Sequence, residues 1–304
     1  MSPIVFAGVV LGLALSACSV PGAKFTPLGD DNTGDNVPGD ADASSDGEAQ
    51  HDAPVDAAIG PDITAVEQPP RIATGDTVTI KVSLHSIRTG PVAWTLAATK
   101  GAFTPTSGSA DIDANGKGTF TVSFKASATA GDDAWTVDLD DGVLAHDAFT
   151  AKVADLVPIG DATSFADHAG QTVTGNVLYG QKVTLAAAAY LMRLGLFSDN
   201  AGTNARMALY LDNGAAPASL VAQVAAQAVV AGRNEIRLAS PVQLNAGTYW
   251  LMADFDGGTQ VRRNATNVAQ IFVNVAATAP LPATTAGSTS LNGLTLNYFA
   301  EVIP

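Results

Sequence analysis

The sequence predicts an all-β protein made of two successive sandwiches, preceded by a signal peptide and an acidic linker. Three observations carry this. Only 14% of the 304 residues are charged, while Ala, Gly, Thr and Val abound, a composition that suits half-buried strands better than surface helices. From about residue 62 onward, apolar and polar residues alternate with period two, the pattern of strands with one buried face. Gly (29) and Pro (16) punctuate these runs closely enough to separate many short strands.

The chain begins differently. Ile4 to Ala17 is uncharged and mostly apolar, too short for a membrane-crossing helix of about 20 residues but suited to a signal-peptide core. It ends in Leu15-Ser16-Ala17-Cys18, and Cys18 is the only cysteine. This resembles the lipobox of bacterial lipoproteins. The resemblance implies cleavage of residues 1–17 and acylation of the Cys18 thiol, with two or three chains giving a durable anchor at about 0.8 kcal/mol per buried methylene. Ser19 at the following position resembles the sorting signal for the outer membrane, where the protein would face the periplasm or the cell surface. Met1-Ser2-Pro3 departs from the signal pattern in carrying no basic residue.

Residues 18–61 read as a solvated tether. Over 29–62 the sequence has nine Asp, one Glu and no Lys or Arg, which is ten of the fourteen excess negative charges. With few aromatic or β-branched residues, such a segment cannot bury enough surface to offset its ordering entropy. Its Asp groups, including Asp30-Asp31 and Asp40/Asp42, do not fall into a twelve-residue calcium loop with a terminal Glu. The absence of any basic stripe argues against a nucleic-acid partner.

Residues 62–155 predict an Ig-like sandwich of about seven strands. Val78, Ile80, Val82 and Leu84 form one buried row. Val92, Trp94 and Leu96 form another, with Trp94 as a core tryptophan on an early strand. Phe120, Val122 and Phe124, then Trp135, Val137 and Leu139, complete the set. In DIDANGKGTFTV, Asp111, Asp113, Asn115 and Gly116 match the first positions of an EF-hand loop, but its last position is Val122, so Asn-Gly marks a hairpin turn. VAWTL, DANGKGTFTV and AGDDAWTV resemble the bacterial Ig-like domains of invasin- and intimin-type surface proteins. That resemblance implies a spacer or adhesive module.

Residues 156–304 predict a jelly-roll-like sandwich of nine short strands. The Ala-rich VAQVAAQAVVAG reads as strand rather than helix. RMALYLDNGAAPASLVAQ and ASPVQLNAGTYWLMADF resemble β-sandwich modules of anchored bacterial surface proteins, implying a fold and a surface location.

Candidate binding residues lie on the TYWLMADF strand. Tyr249, Leu251, Ala253 and Phe255 form its core row, which sets Trp250 on the opposite face beside Asp254 and Asp256. An outward Trp next to carboxylates could stack a sugar, and the Asp pair could form a weak calcium site; alternatively a neighbouring loop or sheet covers Trp250. Arg262-Arg263 reads as edge-strand charge guarding against aggregation. His51, His85, His146 and His168 have no ligand spacing; His85 reads as a solvent-facing strand residue, His146 and His168 as polar-turn residues. There is no nucleophile elbow, zinc motif, phosphate loop or dinucleotide fingerprint. The expectation is a non-catalytic, lipid-anchored envelope protein without a cofactor, serving surface structure, adhesion or display of a glycan or protein ligand. The alternative is a carbohydrate-binding or glycan-processing accessory protein that uses the second sandwich.

Overall fold

A computed structural model of the chain describes residues 60–166, 169–285 and 288–304. The expectations for the signal segment, Cys18, most of the tether, His51 and His168 lie outside the described residues. Among the described residues there is no helix.

The first sandwich has nine strands rather than seven: β1 (Asp62–Glu67), β2 (Ile72–Ala73), β3 (Thr77–His85), β4 (Gly90–Ala98), β5 (Ala102–Thr104), β6 (Ser107–Ile112), β7 (Lys117–Lys125), β8 (Gly131–Asp140) and β9 (Leu144–Ala154). They form two sheets, β1-β3-β7-β5 and β2-β9-β8-β4-β6. The extra strands are the shortest, β2 and β5, below the length at which period two is visible. Pro69-Pro70 explains the split of the leading segment. Proline cannot donate to a ladder, so the chain leaves β3 after Glu67 and crosses to pair β2 in parallel with β9. β3 and β7 pair without a shift from Thr77↔Lys125 to His85↔Lys117, which keeps Ile80, Val82, Val122 and Phe124 in one core.

Trp94 on β4 is buried and stacks on Phe120 with ring centroids 4.4 Å apart. Trp135 on β8 packs against Phe103 and Phe149 at 5.3 and 4.7 Å. Opposite Trp94 stands Gly108 on β6, where a Cβ would meet the indole Cζ2 at 2.5 Å. Gly108→Ala is therefore expected to overpack the core and cost about 1–3 kcal/mol, read as a lower urea midpoint with an unchanged slope. The DANGKG segment is the expected turn: the Asp113 carboxylate accepts the Asn115 and Lys117 amides at 2.8 and 2.9 Å, and Gly116 takes φ 76°.

The second sandwich has twelve strands: β10 (Val157–Gly160), β11 (Ala169–Val173), β12 (Val177–Leu185), β13 (Ala189–Ser198), β14 (Asn204–Asp212), β15 (Pro217–Gln223), β16 (Gln227–Ala228), β17 (Gly232–Leu244), β18 (Gly247–Phe255), β19 (Thr259–Asn274), β20 (Thr289–Leu296) and β21 (Tyr298–Ile303). β13 meets β19 only at Ser198↔Val261, so one continuous sheet folds into two layers about that corner. One layer is β10-β21-β13-β17; the other runs β19-β12-β18-β14-β15, with β11 and β20 on β19 and β16 on β14. Leu191, Leu194, Leu209, Leu251, Phe255, Tyr298 and Val302 fill the space between them. The Ala-rich segment is extended, as β15 and β16, because its alternate residues Ala222 and Val224 reach this core.

Two expectations fail here. Arg262-Arg263 is not at an edge: β19 is paired on both sides, Arg262 Nε donates to Asp199 at 2.7 Å, and its guanidinium also reaches Ser164. His146 is not in a turn but on β9, with Nδ1 2.6 Å from the Asp138 carboxylate across the β8–β9 pair. His85 does lie on a strand, half-buried beside Asp62 at 3.5 Å.

Candidate functional site

β18 holds the predicted binding residues, and its alternation is as expected. Tyr249, Leu251, Ala253 and Phe255 enter the main core, while Trp250 and Met252 point to the other face. That face is not open. Trp250 is only 2% exposed and belongs to a second apolar cluster with Leu178, Tyr210, Met252, Ile271 and Leu281. The segment 275–285 crosses over this cluster as a strap. It is held by backbone carbonyls that accept from side chains of β14: Tyr210 donates to Pro282 at 2.9 Å, and Arg206 donates to Ala276 at 2.9 Å and to Ala279. Leu220 N donates to the Ala283 carbonyl at 2.9 Å, and a bridge joins Ser219 and Thr284. Burial pushes the Tyr210 hydroxyl up to about 12, so it stays a neutral donor.

The polar ends of the Trp250 environment are paired as well. The indole Nε1 donates to Asp212 at 2.7 Å, and Lys182 Nζ donates to the same carboxylate at 2.9 Å while lying 5.1 Å from the Trp250 ring centroid. The stacking platform is therefore corrected: the ring face is covered by a cation and the strap, because a sheet with apolar residues on both faces must be covered on both.

The Asp pair is divided in role. Asp254 is buried, and its carboxylate accepts from Arg206 Nε at 2.8 Å and Nη2 at 2.7 Å. Burial raises its pKa despite the guanidinium. Asp256 is exposed and accepts the side-chain and backbone N–H groups of Asn204 at 2.6 and 2.8 Å, which lower its pKa. A guanidinium already occupying Asp254 leaves no converging carboxylates for a cation, so the calcium expectation at this pair is also corrected. Among the described residues no group of three or more His, Cys, Asp or Glu could hold a metal.

Asp212 gives a test of this account. Burial opposes its charge, but the hydrogen bonds from Lys182 and Trp250 prevail and hold its pKa below the usual carboxylate value. A depressed folded pKa contributes stability present above the unfolded pKa, about 3.9, and lost as pH falls through the folded value. The stability gap between wild type and Asp212→Asn, measured by urea unfolding, is expected to be largest near neutrality and to close progressively below about pH 4.

A concave surface lies where the two sandwiches meet, and nothing in the sequence pointed to it. Met192 on β13 faces a bulge in β17, because Leu191 pairs with Val242 and Arg193 with Arg237, leaving Leu238–Pro241 to protrude. Across from the bulge stand Glu67, Gln68, Pro69 and Pro70, with Thr77–Thr79 of β3 between them. Together they line a groove of about 800 Å³. Arg237 in its lining belongs to a network of six charged groups that joins the two sandwiches. Asp76 binds Arg193 at 2.6 Å and Arg237 at 3.2 Å; Arg193 reaches Glu235 at 2.9 Å and Glu301 at 3.4 Å; Arg233 reaches Glu301 at 2.7 Å and Glu235 at 2.5 Å. Burial and the neighbouring Glu235 raise the Glu301 pKa, against the two arginines. For Glu235, burial is outweighed by Arg233 and Arg193, and its pKa is lowered. A small apolar patch, Ala73, Met192 and Ile303, closes the joint.

No protein-family model and no curated protein matches the chain. Solved structures match at low similarity. The Yersinia pseudotuberculosis adhesin InvE is 14% identical, with 77% of this chain and 58% of that chain covered and a TM-score of 0.24. The Pseudomonas aeruginosa CupB2 chaperone is 9% identical, covering 74% and 98%, with a TM-score of 0.21. A DUF4785 family protein from Legionella pneumophila is 12% identical, covering 76% and 56%, with a TM-score of 0.22. The chain thus spans little more than half of the adhesin, and at these TM-scores none of the three bears on function.

Proposed function

We propose that the chain is a lipid-anchored, non-catalytic envelope protein in which the first sandwich (62–155) is a stalk and the second (156–304) a presenting head. The observation that carries this reading is the placement of the two ends of the first sandwich. β1 begins at Asp62, opposite His85, at one end of β3. The joint with the second sandwich lies at Asp76 and Thr77, the other end of that strand, where Arg237 also donates to the Thr77 carbonyl at 3.2 Å. The nine-residue strand from Thr77 to His85 makes eight rises between them, about 27 Å at ~3.4 Å per rise. A chain held at Cys18 would therefore carry its second sandwich at the far end, with the groove at the joint. The acidic composition of 29–62 supports a solvated spacer between anchor and stalk.

Growth with labelled palmitate tests the anchor: label on wild type and none on Cys18→Ala is expected, and equal label on both would sink the reading. Protease added to whole cells then separates a surface-exposed head, which is lost, from a periplasmic one, which survives. The carbohydrate-binding alternative loses its platform at Trp250 and would rest on the groove instead. A glycan array probed with the full chain decides it: binding that Arg237→Ala abolishes favours the alternative.

A further inference from the structure

An asparagine followed by glycine carries its own reactive pair: a side-chain amide carbon and, one peptide on, a backbone N–H with no Cβ to shield it. The chain has three such pairs, Asn115-Gly116, Asn213-Gly214 and Asn292-Gly293. The third lies within β20. The first two lie in hairpin loops, and their surroundings differ in what governs attack of that nitrogen on that carbon.

At Asn115-Gly116 the nucleophile is taken. Gly116 N donates to the Asp113 carbonyl at 3.0 Å, an acceptor that cannot take up its proton. The Asn115 amide is held through Nδ2, which donates to the Asp113 carboxylate at 3.4 Å. The glycine is also enclosed, since a Cβ there would meet His85 Nε2 and the Ser86 carbonyl oxygen, each at 2.8 Å.

At Asn213-Gly214, in the loop from β14 to β15, all three are reversed. The Gly214 N–H bonds to the Asp212 carboxylate, a base that is ionised at neutral pH. Asn213 is held through its oxygen: Oδ1 accepts from the Ala215 and Ala216 N–H groups at 3.1 and 2.9 Å. Those bonds curl the side chain along the loop past the Gly214 peptide. They also put two donors where negative charge collects when a nitrogen attacks the amide carbon. Asn213 and Gly214 are exposed, and a Cβ on Gly214 would meet nothing within 4 Å, which leaves room for a ring and for water. Lys182 Nζ donates to the Gly214 carbonyl at 2.8 Å, and Asn213 N donates to the Ala216 carbonyl at 3.2 Å, so the loop keeps this pose.

We propose that Asn213-Gly214 is a site of self-promoted deamidation, with Asp212 as the proton acceptor. Gly214 N bonds to Asn213 Cγ while its proton passes to the Asp212 carboxylate and the Cγ=O electron pair moves onto Oδ1. Collapse re-forms the carbonyl and breaks the Cγ–Nδ2 bond. Nδ2 takes the proton back from Asp212 and leaves as ammonia. Water then opens the cyclic imide, at Cγ to give aspartate or at the backbone carbonyl to give isoaspartate. Either product adds a carboxylate beside Asp212 and the Lys182 ammonium, and isoaspartate also lengthens the loop backbone by a methylene. The inference stands apart from the anchoring reading and holds whether or not Cys18 is acylated.

The test ages the full chain at neutral pH, native and in urea, and follows both loop sites by peptide mapping and mass spectrometry. In the native chain Asn213 is expected to convert at least ~10-fold faster than Asn115, a modest gain for one general base and two placed donors. In urea, where local sequence alone acts, the two rates should converge. Native Asp212→Asn should convert several-fold more slowly at Asn213, with its fold checked by far-UV circular dichroism. A native rate ratio no larger than the ratio in urea would overturn the proposal, since sequence would then set the rates. So would a folded Asp212→Asn that converts at Asn213 as fast as wild type. If that variant misfolds, the native and urea ratios decide alone.

Discussion

Replacing Trp250 with alanine is expected to destabilise the protein by about 3–5 kcal/mol, the range for truncating a buried tryptophan. The size follows from what the ring holds together. It fills the cluster between the outer face of β18 and the strap, beside Tyr210, Met252 and Leu281. It donates to Asp212 and lies under Lys182, so its removal also leaves that ion pair against a cavity. Urea unfolding followed by circular dichroism measures the loss. A second readout separates this role from ligand binding: proteolysis of the native state should cut the strap at 275–285 first, because its hold on the sheet is weakened there while the main core is intact. A variant as stable as wild type, with an uncut strap, would contradict the covered-ring account. Trp250→Phe should recover about half of the loss, since it restores ring volume without the hydrogen bond to Asp212.

How far the sequence reaches is clear from this same strand. Period two correctly put Trp250 on the face opposite Tyr249, because alternation is a local property of the backbone. What covers that face is not local. The segment VAATAPLPATT over 275–285 has no sustained period-two alternation, yet its carbonyls meet Arg206 and Tyr210 from a strand some 70 residues away in sequence. Arg262-Arg263 was misjudged for a related reason: charge suits an edge strand, but strand order decides where the edge is, and β19 lies inside the sheet. The core rows of the first sandwich were legible because each strand there has one wet face. In β18 both faces are buried, and the tryptophan and carboxylates on its second face imitated an exposed site. Asp133 shows the limit from the other side. Nothing marks it in AGDDAWTV, yet it is fully buried and accepts from Thr99, Lys100 and Gly101 at 3.0, 2.9 and 2.6 Å to close a loop.

Asp76→Ala is expected to loosen the joint between the sandwiches and cost about 2–3 kcal/mol, somewhat below the 3–5 typical when a fully buried pair is broken. The discount reflects partial exposure: the side chains of Asp76 and Arg193 are 12% and 20% exposed, and that of Arg237 is 40%. Asp76 is the only acidic member of the joint supplied by the first sandwich; Arg193, Arg233, Arg237, Glu235 and Glu301 all come from the second. Without it the remaining network has three arginines for two glutamates, and the excess positive charge sits directly against the first sandwich. The loss should therefore appear as coupling between sandwiches rather than as weakening of either core. A double-mutant cycle of Asp76→Ala with Arg193→Ala is expected to give an interaction energy of about 1–3 kcal/mol, because the two groups share one bond and one network. Hydrogen exchange should rise at Ala73, Met192 and Ile303, the apolar patch at the joint, and stay unchanged at Phe124 and Leu251 in the two cores. An interaction energy near zero would mean that the apolar patch alone holds the sandwiches, and the rigid placement of the groove would then rest on three small contacts instead of on charge.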